Sequence, residues 1–264
     1  MLTKYIQTIA LTLFLVSCGG KGGNSVTPIE SVTPPPIDIP DNSAGTDYQI
    51  LIYGNSHSSD LGKLLQILIT EQLPAVTVET KTVSGVFLDA IVEREGNVEK
   101  LQEQSWSHAI FQGQKYSQSG QYDYPTDAAR RLIASAKAQN ITPILFPEHP
   151  QQGDTHEGRR VYDLHLSISA KEPSCVAPIG LVWDRLLKVL PDAPLYKSDG
   201  NHASYEGNVL TAMTFYEIIT GELADVMSYS AAINLSQHDQ AIYAQIVTEV
   251  LKQYPACAPN SLPQ

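Results

Sequence analysis

The chain is short of cysteine, of basic residues and of long hydrophobic runs. Three cysteines in 264 residues rule out a disulfide-dense scaffold. Lys and Arg number 17 against 28 Asp and Glu, a formal charge of −11. That balance argues against a nucleic-acid partner, which would need a basic footprint. The most apolar stretch, residues 6–16, is too short to cross a bilayer as a mature helix. Tight metal-ligand spacings such as H-E-x-x-H are missing, no cofactor is called for, and no internal repeat is visible. What is present is ordinary globular composition, 42% hydrophobic and 17% charged, so wholesale disorder and collagen-like structure are excluded. The length suits one domain of about 200 residues, or two small ones, enough to bury a real core.

The N-terminal segment reads as targeting. Lys4 supplies a small positive region, and the apolar run ends in Leu15-Val16-Ser17-Cys18 followed by Gly19. This resembles a bacterial lipobox. The resemblance implies a signal peptide over 1–17, lipidation of Cys18 and a membrane anchor through the acyl chains. Gly19 after the cysteine resembles outer-membrane sorting. Residues 18–46 are rich in Gly, Pro, Ser and Thr around Pro34-Pro35-Pro36 and read as a tether. The domain is expected over 47–258, with a tail at 259–264.

Within the domain, β-rich runs at 48–53, 76–83, 108–112, 141–146 and 175–179 alternate with helix-period stretches. Those stretches lie at 61–73, from 85 to about 104, and at 125–138, 159–170, 181–190, 205–220 and 237–253. Strands alternating with helices predict a three-layer αβα sandwich around a mostly parallel five-stranded sheet, of flavodoxin-like type. Ligands bind such sheets at the carboxyl ends of the strands.

Two segments there carry chemistry. Gly54-Asn55-Ser56-His57-Ser58 follows the first strand and precedes a helix. A serine so placed is either a helix cap or a nucleophile beside unpaired amide donors. Far along the chain, Asp199-Gly200-Asn201-His202 sets an acid and an imidazole three apart before another helix. There an imidazole can accept a serine proton while a carboxylate orients it. Ser56 and His202 are 146 residues apart. Together these blocks resemble the SGNH hydrolase superfamily, also called GDSL esterases and lipases, over about residues 48–221. Asn55 stands where Asp is common, as in a bacterial subgroup of largely uncharacterised members.

That resemblance implies Ser56 as nucleophile, His202 as general base then acid, and Asp199 as the group orienting His202. It implies oxyanion donors at Ser56 N–H and Gly85 N–H. The family's third block, Gly-x-Asn-Asp, is not kept: Gly113 is followed by Gln114-Lys115-Tyr116. Gln112 or Gln114 is expected to replace the missing asparagine, with Gln112 favoured as the last strand residue. The implied activity is hydrolysis of a carboxylic ester, with an acetyl group on a carbohydrate suggested by the Gln-Gly feature. Its substrate partner would be a small-molecule or polysaccharide ester. Alternatives are a non-catalytic glycan- or envelope-binding lipoprotein on the same fold, and an O-acyltransferase using the same triad.

His149, His156 and His165, with Glu148, Asp154 and Glu157, read better as a loop flanking the cleft than as a metal site. His57 reads as a neighbour of the nucleophile. Tyr116, Tyr122 and Tyr124 serve equally as sugar-stacking faces or ordinary packing. Cys175 and Cys257 are candidates for a bridge in an oxidising compartment; otherwise they are two buried thiols.

Overall fold

A computed structural model describes residues 39–257. The expected signal peptide, lipidated Cys18, the tether up to residue 38 and the tail at 259–264 lie outside the described residues. Five strands form one sheet: β1 (Asp47–Gly54), β2 (Thr77–Ser84), β3 (His108–Gln112), β4 (Thr142–Phe146) and β5 (Cys175–Val176). Their order is β2-β1-β3-β4-β5 and every pairing is parallel. Seven helices cover the sheet: α1 (Leu61–Gln72), α2 (Leu88–Val92), α3 (Asp127–Lys137), α4 (Glu157–Ser169), α5 (Ile179–Val189), α6 (Tyr205–Thr220) and α7 (Gln237–Gln253). This is the expected three-layer α/β fold.

Strand periodicity divides the core. Ile50 and Ile52 of β1 face one apolar cluster with Leu64, Leu65 and Leu68 of α1 and with α5, α6 and α7. Leu51 and Tyr53 face the other, with Leu88 and Ile91 of α2 and Leu132 and Ile133 of α3. Burying each such side chain contributes about 1.5–3 kcal/mol, before the entropy of ordering it. β2 is an edge strand, largely exposed and carrying Glu79 and Lys81; charge there discourages strand addition.

Three local expectations are corrected. The single helix from 85 to about 104 is instead α2 and a separate 3-10 turn, Glu99–Gln102. Gly96 between them has φ +82°, which breaks a right-handed helix, and Asn97 Nδ2 caps Ile91 O at 3.0 Å. β5 stops at Val176, because Pro178 precedes α5 and brings no N–H to a strand ladder. Pro125 stands outside α3, whose N-cap is Thr126.

The last residues of the expected tether rest on the domain. Ile39 packs on the first core cluster. Asn42 Nδ2 donates to Ser107 O and Asn140 O, both at 3.0 Å, bracing the entries to β3 and β4. Cys175 of β5 is joined to Cys257 by a disulfide, and Val176 N–H donates to Ala256 O at 2.8 Å.

The strand order places a topological switch between β1 and β3. Successive connections leave β1 in opposite directions there, and a crevice opens at the carboxyl ends. Both ends, Gly54 and Gln112, lead into the segments singled out by sequence.

Candidate active site

The turn carrying Ser56 is fixed from three sides. β1 ends at Gly54, where a Cβ would collide with Ser58 Oγ and stand 2.6 Å from Gln112 Oε1. Glycine is therefore required by close approach. Asn55 N–H donates to Gln112 Oε1 at 2.7 Å. The Asn55 side chain accepts from His57 N–H at 3.0 Å and donates to Val86 O at 2.8 Å. Asn55 thereby caps a 3-10 turn, Ser56–Ser58, and ties it to the loop after β2. Ser56 is exposed at the start of that turn.

The late loop is a compact turn closed by an antiparallel bridge between Tyr196 and Ala203. Gly200 turns the chain at φ +67°. Asp199 Oδ1 accepts the N–H groups of Asn201 and His202, each at 2.9 Å. Its Oδ2 pairs with His202 Nδ1 at 2.7 Å. Those backbone bonds first, and the imidazole next, hold the Asp199 carboxyl well below the usual carboxylate range. Behind the loop, α6 begins at a Ser204 cap on Gly207 N–H. A Cβ at Gly207 would strike Leu195 O and Trp183, so glycine sets how closely α6 seats the loop.

The two loops meet. Ser56 Oγ lies 2.9 Å from His202 Nε2. With Asp199 on Nδ1, the imidazole presents Nε2 as an acceptor towards the hydroxyl. The arrangement can withdraw a proton from Ser56 and stabilise the imidazolium that results.

The oxyanion expectations do not hold for three residues. Gly85 N–H donates to Gly54 O at 2.9 Å, prolonging the β1–β2 ladder. Gln112 is fully buried, with Oε1 on Asn55 N–H and Nε2 on Glu148 Oε1 at 2.7 Å. Gln114 turns its Nε2 onto Lys115 O and Pro125 O, at 2.9 and 3.1 Å. Neither glutamine amide lines the cleft. Ser56 N–H keeps its place as the first amide of a turn, without an intrahelical partner.

The histidine-rich segment scatters. His149 is buried, stacks on Trp183 with 4.0 Å between centroids, and its Nε2 contacts Asn201 O at 2.9 Å. Burial pushes its pKa down to about 3. His165 is buried in α4 against Val161 O, and His156 is the N-cap residue of α4. Two residues of the site were given no role by the sequence, Glu148 being placed only in the loop flanking the cleft. Glu148, two residues beyond β4, closes the floor beside His57 and Gln112. Asn201 bridges His149, Gln151 and His57. Their only sequence signal is position after a strand end or inside the Asp-x-x-His block.

Ser56 and His202 open into a cleft of about 1070 Å³. The loop after β3 forms one wall, with Tyr116, Ser117, Gln118, Ser119, Tyr122 and Tyr124. Tyr122 is 69% and Tyr124 43% exposed.

No family model matches the chain, and no curated protein matches it. Among solved structures, a DUF4886 family protein from Bacteroides uniformis is similar at a TM-score of 0.67 and 14% identity, over 81% of this chain and 98% of that one. What the two share is the three-layer α/β fold with its all-parallel five-stranded sheet. The psychrotrophic esterase EstA from a Pseudoalteromonas species is similar at a TM-score of 0.47 and 17% identity, over 65% of this chain and 96% of that one. A lipase/acylhydrolase from Enterococcus faecalis is similar at 0.46 and 15%, over 66% and 96%. At 14% identity the likeness to the DUF4886 protein is one of fold alone, and function has to be argued from the site.

Proposed function

We propose that this chain is a serine esterase of the SGNH type, cleaving a carboxylic ester carried by a carbohydrate. One observation carries the reading: the Ser56–His202–Asp199 hydrogen-bond chain, 2.9 and 2.7 Å, between segments 146 residues apart. It stands at the crevice where ligands bind in such sheets.

In this reading His202 Nε2 takes the Ser56 proton as Oγ attacks the ester carbonyl. The tetrahedral oxyanion is held by Ser56 N–H, the first amide of its turn. The intermediate collapses, the alcohol leaves with the proton from His202, and an acyl group stays on Ser56. Water, deprotonated by His202, then releases the acid and restores Ser56. The carbohydrate part is supported by exposed tyrosine faces among hydroxyl and amide side chains, a combination suited to sugar rings. Lipidation of Cys18 would hold the enzyme at the cell envelope.

A non-catalytic glycan-binding role is the second reading, favoured by the loss of both glutamines as oxyanion donors. The deciding measurement is hydrolysis of a short-chain nitrophenyl ester and of acetylated polysaccharides by wild type and Ser56→Ala. Turnover lost with Ser56→Ala, together with fluorophosphonate labelling that needs Ser56 and His202, supports the esterase. Equal rates across the panel leave the binding role. Transfer to added sugar alcohols in preference to water would make the chain an acyltransferase.

A further inference from the structure

Beneath the rim of the cleft, polar side chains form a buried chain. Asn55 N–H donates to Gln112 Oε1, and Gln112 Nε2 donates to Glu148 Oε1, both at 2.7 Å. Glu148 Oε2 stands 3.7 Å from His57 Nε2. The His57 ring lies flat on His202, with 4.8 Å between centroids and 15° between planes. The chain thus starts at the amide preceding the nucleophile and ends on the ring that takes its proton. Gln112 has no exposed surface, and the Glu148 and His57 side chains are 12% and 10% exposed.

We propose that Glu148 is a positioning residue for the ester-cleaving site: one oxygen fixes, through Gln112, the turn carrying Ser56, and the other faces the His57–His202 stack where positive charge develops. The proposal rests on the esterase reading. Gln112 can offer Oε1 to Asn55 N–H only if its Nε2 finds an acceptor on the far side, and Glu148 supplies it. An ionised acceptor makes that bond stronger than a neutral one. When His202 becomes an imidazolium, a nearby carboxylate in a poorly solvated floor stabilises it. A buried carboxylate is costly in itself, so the site holds it against a stability gradient.

The groups facing Glu148 come from every element around it. These are Gln112 of β3, His57 of the nucleophile turn, His202 of the late loop, Glu157 of α4 with Arg160 beside it, and Tyr116 of the loop after β3. Burial raises the Glu148 pKa to about 7, with Glu157 adding to the rise and Gln112 and His202 opposing it. Burial, aided by His202, lowers His57 to about 4, so that ring stays neutral. The contribution of Glu148 therefore belongs to pH values above about 7.

The test measures kcat and KM of the full chain with a short-chain nitrophenyl ester from pH 5 to 9, in wild type, Glu148→Gln and Glu148→Asp. Glu148→Gln, nearly isosteric, is expected to lower kcat about 10- to 100-fold with little change in KM, the scale of a misplaced reacting group. The acid limb of log kcat/KM is expected to fall from a slope above one in wild type to one in Glu148→Gln. Glu148→Asp keeps the steeper limb. A single ionisation on the wild-type acid limb overturns the proposal without any variant, which covers a Glu148→Gln that fails to fold. Wild-type kcat and profile in a folded Glu148→Gln overturn it equally, and leave the esterase reading intact. If wild type turns over no ester and Ser56 resists fluorophosphonate, the esterase reading itself falls and takes the proposal with it.

Discussion

At the rim of the cleft, Asp199 holds His202 and Asn201 through bonds spanning two or three residues, and Asn55 caps His57 two residues on. The side chains of His202 and Asp199 are 32% and 49% exposed. In the floor directly below, bonds from Gln112 to Asn55, Gln112 to Glu148 and His149 to Asn201 span 57, 36 and 52 residues, and Gln112 and His149 are buried. The rim is made of short self-folding turns. The floor is made by strands that meet only when the sheet assembles. In the proposed esterase, reactive groups sit on the part that water reaches, and the groups that orient them sit where water does not compete.

Removing a rim group should have the largest effect. Ser56→Ala and His202→Ala are each expected to lower kcat by about 10⁴-fold or more, since triad members act as a unit; ester turnover and fluorophosphonate labelling check this. A variant within about tenfold of wild type would detach the rim from catalysis. Asp199→Asn keeps the turn but loses the charge and the tautomer preference it imposes. A loss of about 10²- to 10⁴-fold in kcat is expected, larger than that for Glu148→Gln if the rim does the chemistry and the floor positions it.

Floor substitutions should trade stability against activity. Glu148 has an ordinary pKa of 4.5 and a folded value of about 7. Between those values the folded chain keeps a proton the unfolded chain has lost, so the Glu148 contribution to stability falls as pH rises through that window and is level above it, while His57, His108, His149 and His165, buried neutral, contribute in the opposite sense. In Glu148→Gln the Glu148 contribution vanishes. At pH 8 the variant should exceed wild type by about 1–3 kcal/mol, the shift at about 1.4 kcal/mol per pKa unit less a weakened hydrogen bond. Denaturant midpoints of both proteins at pH 5 and pH 8 measure it, and a difference between variant and wild type that is the same at both pH values would break the contrast. Gly54→Ala forces a methyl against Ser58 and Gln112, where rim and floor join. It should cost about 1–3 kcal/mol, as overpacking does, and lower kcat as well. The smallest effect is expected at the outer wall. Tyr122→Ala should change stability by no more than about 0.5 kcal/mol, while raising KM for an acetylated polysaccharide and leaving KM for a nitrophenyl ester as it was.

The same contrast explains what could be read from the chain. Ser56, Asp199 and His202 stand out because a strand end before a helix, and an acid three residues before a histidine, are local patterns. The parallel sheet is legible because each strand is a β-rich run ending at a turn signal. The oxyanion assignments fail for a different reason. Whether Gly85 N–H faces the cleft or Gly54 O, and whether Gln112 turns to substrate or to Glu148, depends on register and on partners far off in sequence. Glu148 carries no motif. It is one acid after a strand, and its meaning comes from three side chains supplied by other segments.

Hydrophobic period, turn residues and two short polar blocks determined by themselves that this chain would form a parallel α/β sandwich with a serine and a histidine at strand ends. Those signals are local, because backbone geometry repeats every two or 3.6 residues. Only the assembled sheet decided which amides stay unpaired around Ser56 and which carboxyl lies beneath His202. Hydrogen-bond partners and desolvation are properties of the space around an atom, and in the floor of this site that space is filled by residues 36 to 57 positions away.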